Sequence, residues 1–478
     1  MTRLFKITNV SEALLAQLSD FVSAHMFLHF PKDRWPDLLR GIEAAAKEFG
    51  FGDAASCIHW LFSAPLNKHQ IEILAGHLTV GETFFFRDAR SFDILEHQIL
   101  PELIEARQKT DRRLRIWSAG CCTGEEAYSL AISVRKWIHN LEDWNVTILA
   151  TDINPRFLHT AKTGVFGEWS FRSAPPGFKE LYFKPAENGR WEILPSIKKM
   201  VTFSFLNLAE DVYPSLLNDT NAMDVVFCRN VMMYFDAARM QKVIHNLHRC
   251  LVDGGWLIVS ANESSQSMYA QFESVHLGDG TFYRRARVAD LKFRETQKIL
   301  LKDLQKLIAP PAPSAASYES ARAMYDEGDY AEAIELLEEL PPELRVMILR
   351  VRAHANQGHL DEALACCDRL VATAGKLSPV SHYLRATILH ERGALEDAVL
   401  SYTRALYLDQ GYALAHFALG NLSRQRGRAD ETRRHFRNAL EALAEHSPET
   451  ILDESEGITV GRLNEIISSL MEAETADE

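Results

Sequence analysis

Apolar residues in the first 75 positions recur at helical spacing, as in "SEALLAQLSDFVSAHMFLHF" and "WPDLLRGIEAAAKEFGF", with glycines and prolines between the runs. This predicts a domain of short helices over residues 1–75. From 76 to 286 the pattern changes to short apolar runs without helical periodicity: "LRIWSAG", "VTILATDI", "VTFSFLNL", "MDVVFCRN" and "WLIVSA". Such runs suit strands buried on both faces of a parallel sheet, and helical stretches separate them, so an α/β, doubly wound, Rossmann-like domain is expected. The stretch "VADLKFRETQKILLKDLQKL" then reads as an amphipathic helix. "APPAPSAAS" (Ala309 to Ser317) reads as a semi-extended linker, so residues 287–317 connect two parts of the chain.

Beyond the linker the sequence repeats itself. "GDYAEAIELL" at Gly328, "GHLDEALACC" at Gly358, "GALEDAVLSY" at Gly393 and "GRADETRRHF" at Gly427 recur in phase, each Gly lying between two helical runs. Ala333, Ala363 and Ala398 fall at one equivalent position, where a small side chain lets helices approach closely. This pattern resembles the tetratricopeptide repeat, which implies an all-α array over 318–446. The remainder, 447–478, carries nine acids against a single Arg and is expected to be one weak helix in a frayed acidic tail.

A length of 478 residues fits several domains rather than one. The net charge of −13 argues against a nucleic-acid partner. No apolar run is long enough to span a bilayer, and the polar N-terminus lacks the layout of a signal peptide, so no membrane insertion and a cytoplasmic location are expected. The seven cysteines include the adjacent pairs Cys121/Cys122 and Cys366/Cys367 but no C-x-x-C, and read as reduced thiols. Cys121 and Cys122 are expected to be small buried side chains lining their turn. His25 with His29, and His245 with His248, have no third ligand at metal spacing, so no metal site is expected. P-loop, G-x-S-x-G and H-E-x-x-H motifs are missing.

The chemistry concentrates in "RIWSAGCCTGEEAYSLAI", Arg115 to Ile132. A strand runs into a turn with Gly120 and Gly124 and on into a helix, as a nucleotide-binding βα unit does, and the next strand ends in Asp152, where a carboxylate can accept both ribose hydroxyls. Such a site suits NAD, FAD or S-adenosylmethionine. Glu125 and Glu126 at the helix start oppose a pyrophosphate but attract a ligand carrying an ammonium and a sulfonium.

Together with "TVGETFFFRD", "LATDIN", "FSFLNL" and "DVVFCRNVMMYF", this stretch resembles the CheR family of chemotaxis methyltransferases, over about residues 10 to 285. The resemblance implies a methyltransferase fold at 76–286 with a small β-subdomain at about 166–203, S-adenosylmethionine as cofactor and S-adenosylhomocysteine as product. It implies cofactor contacts at Thr83, Arg87, Glu126, Asp152, Asn207, Leu208, Arg229 and Asn230, with Asp152 on the ribose, Asn207 and Leu208 beside the adenine, and Arg87 and Thr83 over the methionyl end. Gly81 departs from the family, which usually has Asn there.

The resemblance further implies methyl transfer to glutamate side chains in the cytoplasmic helical bundle of a chemoreceptor. A glutamate is ionised at neutral pH and needs no general base, so Arg87 and Tyr234 are the candidate catalytic residues, acting by placement. Phe84, Phe85 and Phe86 are expected to pack. Lys32, Arg34, Arg40 and Lys47 form a candidate basic patch for the receptor. The Asn188-Gly189 hairpin signal stands where tethering members carry a Gly-Pro loop, so pentapeptide tethering is not expected, and recruitment falls to a protein or peptide on the repeats. Two rivals remain: an O-methyltransferase acting on another carboxylate, and a cofactor-binding scaffold.

Overall fold

In the computed structural model, residues 10–278, 280–286, 317–373 and 376–476 are described. The amphipathic helix and linker expected at 287–317 lie almost wholly outside them; Ser317 is described and caps the helix Tyr318–Glu327 by accepting the Ser320 amide. The chain divides into two compact units.

The first unit joins the N-terminal helices to most of a seven-stranded sheet. Helices Glu12–Met26, Trp35–Glu48, Ala54–Leu61 and Lys68–Leu78 share one apolar core, with Leu18, Val22, Leu38, Ile42, Ile58 and Leu74 wholly buried. Ser11, Asp53 and Asn67 cap three of them through their side chains, which satisfies amide groups the helix itself leaves open.

The sheet strands are β1 Arg113–Ala119, β2 Asn145–Asp152, β6 Val201–Phe205, β7 Met223–Phe227, β8 Leu251–Ile258, β9 Glu273–Leu277 and β10 Gly280–Arg284, in the order β6-β2-β1-β7-β8-β10-β9. β1 runs parallel to β2 and β7, and β2 parallel to β6, as expected of a doubly wound domain. The edge differs from the purely parallel expectation, because β10 is antiparallel to both β8 and β9. A second sheet, β3 Val165–Phe166, β5 Trp191–Ile193 and β4 Phe183–Pro185, is antiparallel. Asn188 and Gly189 make its hairpin connection, both in left-handed conformation.

Phe85 joins the two sheets. Its ring lies within 5.5 Å, centroid to centroid, of Phe166, Phe171, Phe178 and Phe183, and it is fully buried. Phe86 is buried beside it, while Phe84 stacks on the Arg172 guanidinium at 3.7 Å, so the aromatic triplet packs as expected.

The second unit holds the repeats. Helix pairs Tyr318–Glu327/Tyr330–Glu338, Leu344–Asn356/Leu360–Ala372, Pro379–Glu391/Leu395–Leu408 and Ala413–Gln425/Ala429–Leu443 match the four sequence copies. Gly328, Gly358, Gly393 and Gly427 have φ of 88°, 79°, 79° and 68°, so each ends its first helix in the left-handed conformation that glycine adopts without strain. Ala333, Ala363 and Ala398 are fully buried, and Thr432 takes the equivalent place in the fourth copy.

Two expectations about the unit boundaries are corrected. Segments Asp211–Met223 and Asn246–Gly255, read as part of the 76–286 domain, belong to the compact unit of the repeats. Leu216 lies in the repeat core, the Tyr330 hydroxyl donates to the Arg249 carbonyl at 3.2 Å, and Arg285 donates to the carbonyls of Leu251 and Gly328. The weak helix expected in the acidic 447–478 segment is found, but the acidic stretch before it is not frayed. It pinches into a loop through the Ile451–Thr459 bridge and continues as the helix Val460–Ala476, whose Leu463 and Ile467 are fully buried in the same core. Apolar positions at helical spacing outweigh the surplus charge there.

Phe85→Ala should remove the centre of the aromatic cluster. A loss of about 3–5 kcal/mol of stability is expected, read as a lower urea midpoint for the first unfolding transition.

Candidate functional site

The turn after β1 is built around a buried acid. Asp152, at the end of β2, is 8% exposed, and its two carboxylate oxygens accept the backbone amides of Cys122 and Asn154, each at 2.8 Å. Burial pushes its pKa up to about 6, and those amides offset only part of that cost. The Gly120 and Cys121 amides donate to the Thr151 carbonyl at 2.8 and 2.9 Å, so the β1 turn is stitched to the end of β2. Gly124, at φ 95°, opens the helix Glu125–Trp137 against Ala161, whose Cβ would lie 2.9 Å from an added methyl.

A cavity of about 520 Å³ opens over this turn. All nine residues singled out from the sequence line it: Thr83, Arg87, Glu126, Asp152, Asn207, Leu208, Arg229, Asn230 and Tyr234. The two glutamates at the helix start separate. Glu125 is buried away from the cavity, accepting the hydroxyls of Thr123 and Ser170 at 2.6 and 2.9 Å. Glu126 faces the cavity, with one oxygen on the Ser118 hydroxyl at 2.7 Å and the other 3.2 Å from the Arg229 guanidinium.

Arg229 is the buried hub. It donates to the Arg87 carbonyl at 2.7 Å and pairs with Asp88 at 3.4 Å, while its Nε is buried without a hydrogen-bond partner among the described residues. Asn230 follows in left-handed conformation, φ 59°, its amide donating to Glu263 at 2.6 Å. Asn207 spends its carboxamide oxygen on the Ala209 amide at 3.0 Å, which leaves its NH2 group to donate.

Arg87 and Thr83 sit on a loop fixed from below. The Phe85 amide donates to the Ser170 carbonyl at 2.9 Å and the Phe86 amide to the Ser129 hydroxyl at 3.1 Å. The Arg87 side chain donates to the Glu82 carbonyl. Burial raises the Tyr234 phenol above its ordinary pKa, although the Val80 amide hydrogen-bonds it, so it stays protonated and can donate.

Several residues escaped the sequence reading. Glu263 also accepts the Met233 amide at 3.3 Å and the Ser260 hydroxyl at 2.7 Å, and so holds the loop from Asn230 to Tyr234 in place. Phe157 forms a wall at the Gly81 position: a Cβ on Gly81 would lie 2.5 Å from its ring and 3.3 Å from Cys122 Sγ. Cys121 is buried as expected. Cys122 is only half-buried and lines the cavity, because its amide must reach Asp152.

The proposed basic patch does not hold together. Arg34 turns into the cavity, its guanidinium 5.3 Å from the Tyr234 ring centroid, while Arg40 pairs with Asp37 at 2.9 Å and Lys32 with Glu12 at 3.4 Å. Lys47, like Lys32 and Arg40, stays exposed.

The cavity lining fits S-adenosylmethionine. Five carboxylates (Asp37, Glu82, Glu126, Asp152, Glu263) face three guanidiniums (Arg34, Arg87, Arg229), a balance that repels a pyrophosphate and suits a ligand bearing an ammonium, a sulfonium and one carboxylate.

Known proteins agree. The CheR methyltransferase SAM-binding domain family matches residues 81–280, and the tetratricopeptide repeat family matches 324–388. Chemotaxis protein methyltransferase 1 of Pseudomonas aeruginosa is 36% identical over 217 residues, covering 45% of this chain and 77% of that one. The chemotaxis protein methyltransferase of Borreliella burgdorferi is 29% identical over 258 residues, covering 54% of this chain and 89% of that one. With the sheet topology and the cavity chemistry in accord with these matches, the chain belongs to the CheR family of S-adenosylmethionine-dependent chemotaxis methyltransferases.

Proposed function

We propose that the chain esterifies glutamate side chains of a chemoreceptor, using S-adenosylmethionine held in the cavity over the β1 turn. The observation that carries this reading is the convergence of Asp152, Glu126, Arg229, Arg87 and Tyr234 on one cavity whose charge balance suits a sulfonium ligand. When bound, S-adenosylmethionine supplies an electrophilic methyl group and leaves as a neutral thioether.

The remaining work is done by the chain. Asp152 accepts the ribose hydroxyls, its carboxylate already oriented by two amides. Asn207, with its NH2 group left to donate, and Leu208 would hold the adenine. Glu126 would attract the ammonium, held in place by Arg229, and Thr83 and Arg87 would close over the methionyl end. The acceptor carboxylate is ionised at neutral pH, with a reference pKa of about 4.3, so no residue has to remove a proton. Placement and exclusion of water then supply the rate, and well-oriented encounters are worth about 7–11 kcal/mol in favourable cases. Tyr234, a neutral phenol, is suited to hold the incoming carboxylate by donation, and Arg87 offers a planar fork matched to a carboxylate.

Recruitment through a receptor pentapeptide is not part of this proposal. The β4–β5 connection is short, closed by the Ala186 amide on the Arg190 carbonyl at 2.8 Å, and lacks a Gly-Pro loop. A cytoplasmic site of action fits a receptor's signalling bundle, and among the described residues no helix is long and apolar enough to cross a membrane.

The direct test incubates the protein with tritiated S-adenosylmethionine and membranes holding the receptors of the same cell. Base-labile methanol should be released from a receptor band. Cofactor binding without label in any receptor would instead indicate a scaffold, and label on other proteins would indicate a different carboxylate substrate.

Three variants probe the roles. Arg87→Ala should lower the methylation rate about 10²-fold or more while leaving the urea midpoint near wild type; a wild-type rate would remove Arg87 from placement. Asp152 must be ionised to accept the ribose, and its pKa is raised to about 6. Affinity should therefore be flat above pH 7 and fall roughly tenfold per pH unit below 6, as the carboxylate protonates. Calorimetry should show this slope in the wild type and lose it in Asp152→Asn. Gly81→Asn should drive Phe157 into the cavity and weaken cofactor binding about tenfold, and adding Phe157→Ala should restore it. Unchanged affinity in the single variant would show that the Phe157 wall yields freely.

A further inference from the structure

The first helices of the four repeats line one side of the array with polar groups. Tyr325, Arg352, Asn356, Tyr383 and Thr387 all lie on these helices, and Tyr412 stands at the start of the fourth. Counted back from Gly358 and Gly393, Arg352 and Thr387 occupy equivalent places in successive copies, six residues before each glycine. Stacked repeats use such a face to take an extended or looped segment of another protein.

Here the face is filled by the chain's own acidic loop. Leu452 and Ile458 pinch the loop, the Leu452 amide donating to the Ile458 carbonyl at 3.0 Å, and the tip Asp453-Glu454-Ser455-Glu456 enters the groove. Glu454 pairs with Arg352, their side chains only 14% and 11% exposed. Glu456 accepts the Tyr325 hydroxyl at 3.0 Å and the Leu216 amide at 3.1 Å, and Asn356 donates to the same Tyr325 hydroxyl at 3.0 Å.

The plug is held by charge and fits poorly. Glu454 and Glu456 have φ of 69° and 55°, left-handed conformations that strain a non-glycine residue. Burial raises the Glu454 pKa even with Arg352 beside it. The groove also offers more than the plug uses: Asn356 Oδ1 and the Tyr412 hydroxyl are buried without a hydrogen-bond partner among the described residues. A segment evolved only to seal the array would bury apolar side chains in relaxed backbone; this one presents two carboxylates in strained backbone to a buried arginine.

We propose that the inner face of the repeats is a recognition groove for an acidic segment of a partner protein with two carboxylates one residue apart, and that Asp453–Glu456 is an internal ligand which that segment displaces. Being tethered, the internal ligand competes at high effective concentration, so a partner binds only when its own segment is the better fit. Every residue named here belongs to the compact unit of the repeats, and the proposal does not depend on the methylation reading.

The test uses the full-length protein and a fluorescein-labelled peptide of the loop's own sequence, ILDESEGIT, followed by fluorescence anisotropy. Glu454→Gln/Glu456→Gln should bind the peptide at least about tenfold more tightly than the wild type, and adding Arg352→Gln should abolish the gain. The peptide ILDQSQGIT should not bind. If the glutamine pair proves unstable, Arg352→Met/Glu454→Met keeps the packing and empties the groove of its charge pair. That variant should fold and fail to bind, while the peptide should raise the melting temperature of the glutamine pair. Equal binding by wild type and the glutamine pair, no binding by either, binding that survives loss of Arg352, or equal binding of ILDQSQGIT would each overturn the proposal.

Discussion

The geometry of the cofactor site depends on one largely buried carboxylate at the floor of the cavity. Asp152 is nearly enclosed, yet its neighbours supply it with amides rather than a cation, one from the β1 turn and one from the residue that begins the next helix. Pulling the Cys122 amide onto the carboxylate requires Cys122 to adopt φ 51°, and that turn in turn requires the left-handed Gly120 and Gly124 on either side. The second amide belongs to Asn154, whose side chain caps the helix Pro155–Thr163 and donates to the Thr79 hydroxyl at 3.0 Å. One acid thus fixes the glycine turn, the Phe157 wall and the exit from the last N-terminal helix.

That chain of contacts accounts for the odd pairing of a glycine turn with two glutamates. A helix start already favours negative charge, and Glu125 takes this bland role, buried on two hydroxyls. Glu126 is free for the cavity because Arg229 neutralises part of its charge from beneath. Arg229 in turn hangs from the Arg87 carbonyl and from Asp88, so the loop that carries the placing arginine and the strand end that carries the buried arginine are one electrostatic assembly. Its cost in buried charge is met only partly within the protein, since Nε is buried without a hydrogen-bond partner among the described residues.

What was legible in the sequence follows from the range of the signals. Strands β1, β2 and β7 are buried on both faces, so each prints a run of apolar residues. β9 sits at the edge and mixes Glu273 and His276 with apolar residues, and β10 beside it is only Gly280–Arg284, so neither prints such a run. The site residues that lie within motifs were found; Glu263 and Phe157 were not, because their partners lie some 30 and 75 residues away and neither sits in a pattern of its own. Arg34 was misplaced for a related reason. Charge on a helix reads as a surface property, but stacking on Phe30 and Tyr234 lets the guanidinium face inward while its stem stays packed.

The C-terminal acidic segment shows the same limit more sharply. Composition alone reads its carboxylates as a solvated tail, since charge without a local partner ought to stay in water. Their partners, Arg352 and Tyr325, lie on helices more than a hundred residues earlier, and only the register of the repeats brings both to one face. Four left-handed glycines mark that register, each ending the first helix of its pair. A polar face repeated in this way must be covered by acceptors or left wet. The array therefore demands a ligand by construction, and the pinched loop at Asp453–Glu456 meets that demand with carboxylates rather than with the apolar residues that Leu463 and Ile467 place in the core nearby.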